Sequence, residues 1–396
     1  MDQLHASTHS PASDLQPATF VAPARVNLLG EHTDYTGGYV LPMAIPFYTR
    51  ATLTPSSSSG YQFGSDLFPE LRELPRDDRS APIGNWSDYP VGVLRQFQLA
   101  GLDLAPFRLH LSGNVPFAAG LSSSASVEVA TAYALLSIAG HPMPLEDVAV
   151  LCRAAENDYV GSPCGIMDQF AITAARAGHA LLLNTRTLKY DHLPLNRGEL
   201  SNTQIVVCNS MVKHSVADGE YGVRHREVTE GQAILLQHFP ALRDLGDATL
   251  QQLEAVRSAM SPESYLRCRH IISDNARVLK ARDAMFAGDP VALGERMSEG
   301  HVSERDDFAC SCEEIDFLVN TAAVLPGCYG SRLTGGGFGG CTVSLVQRDA
   351  SAAFSSALAA AYSSAFNIAP EIYLCDPVDG AALRNAPHTT NMERAL

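Results

Sequence analysis

The chain has 396 residues, 46% of them hydrophobic and 18% charged, with a formal net charge of −15. That length exceeds what one hydrophobic core usually serves and favours two domains with a ligand cleft between them, and the balanced composition excludes a fibrous or largely disordered chain. The acidic balance excludes a broad electrostatic footprint on nucleic acid or anionic lipid, so an anionic ligand has to be met locally, by backbone amides, a metal or single basic residues.

In chain order, Met1–Pro17 is polar, rich in Ser, His and Pro, and reads as a disordered lead-in. It lacks a basic n-region and an apolar h-region, so no secretory signal is expected and the expected compartment is the cytoplasm. Phe20–Val26 and Tyr39–Ile45 read as apolar segments flanking the polar loop Gly30–Gly38, which holds Glu31, His32 and Asp34, with Arg25 and Asn27 just before it. Such a cluster supplies donors and acceptors for several sugar hydroxyls; a solvated turn held by aspartate side chains, or a metal site on His32 and Asp34, remain open alternatives. Ser56–Ser59 reads as a surface loop and Phe107–Leu111 alternates like a strand.

From Ser123 the pattern becomes helical, with Val127, Thr131, Ala134 and Ile138 on one face and Gly140 as the stop. The longest apolar run, Val129–Gly140, is well short of the ~20 residues that span a bilayer, so no transmembrane helix is expected. A second helix runs over Leu145–Tyr159, with Val148, Cys152, Ala155 and Tyr159 on its apolar stripe and Glu156 one turn after Cys152. Leu181–Leu183 and Ile205–Cys208 read as strands, Tyr221–Phe239 and Ser264–Phe286 as helices, and Ser331–Val346 as a glycine loop that enters a strand. A boundary near Thr185–Ser201 gives domains of residues 18–190 and 200–396. Nine scattered cysteines suit reduced thiols better than a disulfide framework, and Cys310 and Cys312 are too close together for a standard CxxC pair.

Four segments carry chemistry. Pro116–Ser126, Pro-Phe-Ala-Ala-Gly-Leu-Ser-Ser-Ser-Ala-Ser, puts small residues and hydroxyls at a helix start, where unpaired N–H groups and the helix dipole cradle a phosphate. A plain N-cap is the simpler alternative, but three consecutive hydroxyls exceed what a cap needs. No Gly-Lys-Ser/Thr follows, and the His-Arg-Asp and Asp-Phe-Gly sets are missing, so neither a Walker A loop nor a protein kinase is read. Leu333–Gly340 matches Gly-x-Gly-x-x-Gly formally at Gly335, Gly337 and Gly340. A dinucleotide fingerprint opens a helix, however, whereas Cys341–Val346 continues as a strand; glycines there let backbone approach a ligand or the facing phosphate loop. Asp168 is a single carboxylate in the apolar stretch Pro163–Phe170 and needs a partner, for which Arg25 is nominated. Glu156 needs one too, and Mg²⁺ shared with phosphates would supply it.

At these residues the sequence resembles the galactokinases of the GHMP small-molecule kinase family, from Phe20 onward. Three motifs match in order: Ala-Arg-Val-Asn-Leu-Leu-Gly-Glu-His-Thr-Asp-Tyr (24–35), Gly-Leu-Ser-Ser-Ser-Ala-Ser (120–126) and Leu-Thr-Gly-Gly-Gly-Phe-Gly-Gly (333–340). Ala24 and Leu29 depart from the Gly and Ile usual in the family. The resemblance implies a two-domain α+β GHMP-kinase-like fold with the active site in the interdomain cleft. It implies transfer of the γ-phosphate of ATP to the C1 hydroxyl of D-galactose, the first step of the Leloir pathway, by a cytoplasmic monomer with no nucleic-acid or membrane partner. By motif position, Glu31, His32, Thr33, Asp34, Gly165 and Tyr221 would contact galactose, with Asp168 and Arg25 catalytic. Gly120, Leu121, Ser122, Ser123 and Ser124 would cradle ATP, and Ser124 and Glu156 would hold Mg²⁺. Trp86 is expected either near the adenine or in the core. A kinase of a related sugar such as N-acetylgalactosamine, or a non-catalytic galactose and ATP sensor, is the alternative.

Overall fold

The computed structural model describes residues 17–116, 119–213 and 217–385. The expected lead-in therefore lies outside the described residues except for Pro17, as do Phe117 and Ala118 at the entry to the serine-rich loop. In chain order the strands are β1 (Ala18–Asn27), β2 (Tyr39–Val40), β3 (Pro42–Pro55), β4 (Gly60–Ser65), β5 (Arg72–Pro75), β6 (Phe107–Gly113), β7 (His179–Asn184), β8 (Tyr190–Pro194), β9 (Thr203–Lys213), β10 (Cys328–Thr334), β11 (Gly339–Gln347) and β12 (Glu371–Cys375). The helices are α1 (Asp88–Leu99), α2 (Ser123–Ala139), α3 (Leu145–Ala154), α4 (Met167–Ala174), α5 (Ala217–His238), α6 (Leu250–Ala255), α7 (Pro262–Ala287), α8 (Pro290–Ser303), α9 (Glu313–Val324), α10 (Ser351–Phe366) and α11 (Ala381–Arg384).

The N-terminal half is built on a five-stranded sheet of order β1-β3-β6-β4-β5, antiparallel except for the parallel β4–β6 pair. In β6, Phe107, Leu109 and Leu111 are buried while Arg108 and His110 face out, the alternation expected of a half-buried strand. Helix α2 packs on β1 and β3 and is flanked by α1, α3 and α4. This corrects the single apolar stripe: Glu128, Val129, Ala130, Ala132 and Leu135 are buried beside Thr131 and Ala134, and Val127 and Ile138 only in part. A helix enclosed on most sides loses its amphipathic period because nearly every face needs small apolar residues. Gly140, at φ +61°, ends it as expected.

The second helix follows its expected span but not as one regular α-helix. Residues Ala155–Val160 form a π-helical turn before Gly161, and that turn carries Glu156. The glycine run is also framed differently, because Ser331–Thr334 already belongs to β10 and the run is the turn of the β10–β11 hairpin, with Thr334 opposite Cys341. Past Gly340 the chain continues as strand β11, against the dinucleotide-binding reading.

In the C-terminal half, the sheet β10-β11-β9-β12 is antiparallel throughout. Alternate residues of β9 serve two cores. Val206 and Cys208 pack with α9 and α10 through Leu318, Phe354, Leu358 and Tyr362. Ile205 and Val207 join a core with α7 and α8 that also takes Val26, Leu28, Leu29 and Met43 from the first half, so the halves share one continuous apolar seam. Helix α7 starts at Ser261, whose hydroxyl accepts the Ser264 N–H, with Pro262 in its first turn, and it stops at Gly288. Among the described residues no helix is long and apolar enough to cross a membrane.

Beneath the seam, Arg332 of β10 is fully buried against Glu304, at 2.7 Å, and donates to the Leu28 carbonyl at 3.0 Å. Breaking a buried pair by removing one partner leaves the other charge without compensation, which typically costs about 3–5 kcal/mol, whereas replacing both sides is far milder. Arg332→Met is therefore expected to lower stability by that order in urea unfolding, and adding Glu304→Gln to recover much of the loss.

Candidate active site

Arg25 sits near the end of β1 with its guanidinium buried. Its Nε donates to Asp168 Oδ1 at 2.7 Å and its Nη2 to Oδ2 at 2.9 Å, a forked pair that fixes both groups. Its Nη1 donates to the Gly120 carbonyl at 2.7 Å, and the Ser122 hydroxyl donates to Asp168 Oδ2. The partner nominated for Asp168 is thus the one it has, and the same contacts tie it to the serine-rich loop. Burial alone would lower the Arg25 pKa, but Asp168, Glu31 and Asp34 outweigh it and the net shift is upward. Ser122 holds a left-handed conformation, φ +59°, at the start of α2. A non-glycine residue persists there only when its surroundings fix it, as the Asp168 contact does.

The loop after β1 is braced from below by α7. Asp274 Oδ2 accepts the N–H groups of Gly30 and Glu31 at 2.9 and 3.2 Å, and Asn275 Oδ1 accepts that of Tyr39 at 2.7 Å. Thr33 differs from its expected sugar contact: it is fully buried and its hydroxyl bonds to the Gly30 and Tyr39 carbonyls. It holds the loop shut from within. Glu31 is buried and accepts the Gly335 N–H at 2.9 Å. The His32 ring stacks on Phe308 at 4.0 Å and lies 5.7 Å from the Tyr221 ring. Its Nε2 is buried with no hydrogen-bond partner among the described residues. Burial, then the charge of His270, lowers His32 to about 3, so its ring is neutral at ordinary pH.

Asp34 accepts the Met167 N–H, and burial followed by the charge of Asp168 raises it to about 7. Gly165 is what lets it approach, because a Cβ on Gly165 would fall on the Asp34 carboxylate. Asp34 is therefore framed by the same short stretch that presents Asp168.

The glycine run faces the serine-rich loop, as its composition suggested. A Cβ on Gly335 would come within 3.1 Å of the Gly120 carbonyl, and Cys341 Sγ lies 3.0 Å from the Ala119 carbonyl. A cavity of about 1000 Å³ opens beside the N-terminus of α2, lined by Phe68, Trp86, Tyr89, Asn114, Ser123 and Ser124 among others. Trp86 stacks on Phe68 with ring centroids 5.8 Å apart, so the only tryptophan forms a cavity wall.

Glu156 is buried, bonded to Ser124, and accepts from Gln169 Nε2 at 2.7 Å and Cys164 Sγ at 3.4 Å. Burial, then the charge of Asp168, raises it to about 7. It has no cationic partner among the described residues. A hydroxyl and a carboxylate are a hard-oxygen pair of the kind that suits Mg²⁺, which takes one or two protein oxygens and fills its shell with water and phosphate. The residues present fit that ion.

Some of the machinery escaped sequence reasoning. Asp274 and Asn275 lie in the helix read over Ser264–Phe286, where a carboxylate between Ile271 and Val278 on an apolar stripe was the available signal. Glu128, flanked by Val127 and Val129, gave the same signal as Asp168. Arg332 offered none, being one charge in an ordinary strand.

Three family models match the chain. The model "Galactokinase galactose-binding signature" matches residues 8–55, "GHMP kinases N terminal domain" residues 88–176 and "GHMP kinases C terminal" residues 281–364. The galactokinase of Roseiflexus sp. (strain RS-1) is 40% identical over 364 residues, 91% of each chain. The Homo sapiens galactokinase is 40% identical over 337 residues, 83% of each. Among solved structures, Lactococcus lactis galactokinase complexed with galactose superposes with a TM-score of 0.88 at 31% identity, covering 92% of this chain and 94% of that one. Methanococcus jannaschii mevalonate kinase, at 16% identity and a TM-score of 0.67, covering 92% of this chain and 99% of that one, shares the fold.

The raised Asp34 gives a signed expectation. A carboxyl that holds its proton more tightly when folded contributes stability below about pH 4, and that contribution fades as pH rises toward 7. Asp34→Asn is expected to raise the thermal midpoint of the ligand-free protein more at pH 8 than at pH 5. Equal shifts at the two pH values would show that Asp34 is ionised at no cost, and the opposite ordering that the fold favours its charged form.

Proposed function

The chain belongs to the galactokinase family of the GHMP kinases, and from that membership we propose how its own residues carry out the reaction. It is an ATP-dependent kinase that converts D-galactose to galactose 1-phosphate with release of ADP. The observation that carries the residue assignment is the junction at Asp168: one carboxylate is gripped by Arg25 and touched by Ser122, so the sugar side and the phosphate side meet there.

In this reading Asp168 takes or orients the proton of the C1 hydroxyl. Its oxygens accept from Arg25 twice and from Ser122 once, which fixes the orientation of the carboxylate. Arg25 has further N–H groups beyond those spent on Asp168 and Gly120, and these would face charge on the transferred phosphoryl group. Glu31, Asp34 and neutral His32 would bond the ring hydroxyls, with Gly165 giving room and Tyr221 closing over His32. Backbone N–H groups from Gly120, Leu121, Ser122 and Ser123 would cradle the ATP phosphates at the positive end of α2, and the Trp86 cavity would take the base. Ser124 and Glu156 would hold Mg²⁺, which when bound neutralises phosphate oxygens and keeps the terminal group in line. The part carrying these loops would be 18–190 and the part carrying the glycine run 200–396, with the exception of α11, which packs back on β1 and α4.

ADP release measured with galactose, N-acetylgalactosamine, glucose and mevalonate tests the whole assignment. Turnover is expected with galactose, and Asp168→Asn is expected to lower kcat by about 10²-fold or more while galactose still binds by calorimetry. Near-native turnover in that variant would remove the base role. Gly165→Ala pushes a methyl into Asp34 and is expected to raise KM for galactose by about tenfold, from loss of roughly one charge-assisted hydrogen bond, with a smaller change in kcat.

A further inference from the structure

Glu128 lies on α2 four residues after Ser124, hence one turn along the same face, and is fully buried. Its Oε2 accepts from Gln169 Nε2 at 3.0 Å, and that nitrogen also donates to Glu156 Oε2 at 2.7 Å. Gln169 directly follows Asp168 on α4 and is itself fully buried. A side-chain amide nitrogen has two N–H groups, and here each meets a carboxyl. The amide oxygen is consequently turned away, and Gln169 Oε1 and Glu128 Oε1 both lack a partner among the described residues.

This arrangement is expensive for a core. Leaving buried acceptors unpaired costs about 1–3 kcal/mol each, and an apolar residue at 128 would sit naturally between Val127 and Val129. Glu128 nevertheless does one thing that an apolar residue cannot. An isolated glutamine amide could rotate and turn its oxygen toward Glu156, setting acceptor against acceptor. With Glu128 in place, the amide is held in the orientation that presents N–H to both carboxyls.

Resting on the reading that Ser124 and Glu156 hold the nucleotide's divalent cation, we propose that Glu128 is a positioning residue which, through the Gln169 amide, keeps the Glu156 carboxylate aimed at Ser124 and the cation. Asp168 and Gln169, adjacent on α4, then couple the sugar-activating carboxylate to the cation site through one helical turn. Removal of outer partners of metal ligands typically weakens metal affinity 10–100-fold.

The test is Mn²⁺ binding to the full chain in the presence of ADP, read from the free-ion electron paramagnetic resonance signal, with galactose affinity from calorimetry in parallel. Glu128→Leu and Gln169→Met are expected to weaken Mn²⁺ binding by about 10–100-fold and leave galactose affinity unchanged. Glu128→Gln keeps an acceptor for the Gln169 amide and is expected to retain Mn²⁺ affinity. Loss in Glu128→Gln equal to that in Glu128→Leu overturns the amide relay, as does parallel loss of Mn²⁺ and galactose binding. If Glu128→Leu fails to fold, Gln169→Met and Glu128→Gln decide between them. Glu156→Gln separates the two layers: if it loses Mn²⁺ while Gln169→Met and Glu128→Leu do not, the cation reading stands and the relay falls. If Glu156→Gln also retains Mn²⁺, the cation reading falls first.

Discussion

The site is organised by a shortage of positive charge. Arg25 is a buried guanidinium on β1, and around it lie Asp168, Glu31 and Asp34, each of which raises its pKa. A single fork can satisfy one carboxylate with full geometry, and it is committed to Asp168. The remaining acids have no cationic fork of their own among the described residues. Asp34 and Glu156 are both raised to about 7, with the charge of Asp168 contributing after desolvation. In the proposed mechanism each is relieved by a ligand, Asp34 by sugar hydroxyls and Glu156 by the cation, so the ligand-free site is electrostatically incomplete and its ligands complete it.

A second buried cation underlies the same loop from the opposite side. Arg332 pairs with Glu304 and bonds to the Leu28 carbonyl, the residue just past β1, while its charge also acts on Glu31 and Asp274. Asp274 in turn holds the N–H groups of Gly30 and Glu31. The backbone that carries Glu31, His32 and Asp34 is therefore fixed from α7. His270 belongs to this layer as well: its two ring nitrogens lie 3.2 Å from the Glu31 carbonyl and 3.0 Å from the Ser303 hydroxyl. Desolvation holds His270 near 4, so it braces the loop as a neutral ring. Such a layer is costly in desolvation and gains its use from rigidity, because polar groups with satisfied partners have few alternative arrangements.

Local signals made much of this legible. The loop 30–38, the helix start at Ser123 and the strand after Gly340 each follow from spacing within a dozen residues, and Asp168 stood out because a lone carboxylate in an apolar stretch must be paired. The choice of Arg25 as its partner also survived, across 143 positions of sequence. What spacing could not deliver is register in three dimensions. The π-helical turn that sets Glu156 leaves no mark in the period of Val148, Cys152 and Ala155, since one extra residue in a turn shifts direction without changing residue type. Thr33 was read with its neighbours because it sits between His32 and Asp34, yet its hydroxyl is spent on two carbonyls of its own loop. Helix α2 lost its stripe because enclosure on most faces erases the contrast that periodicity measures.

The acidic chain and its anionic substrate are reconciled at one spot. Net charge of −15 repels ATP at long range, but screening shortens that repulsion to about 8–10 Å at physiological salt. Within that distance the nucleotide would, in the proposed mechanism, meet the N-terminus of α2, the glycine run against Gly120, and Arg25, none of which depends on the overall charge. The helix end offers partial positive charge without adding a side chain that Asp168 or Glu156 could capture. A lysine in the loop would pair with those carboxylates in the ligand-free state and would have to be pulled away on binding. Backbone amides cannot be captured in that way, and a cradle built from them stays available whatever the carboxylates beside it do.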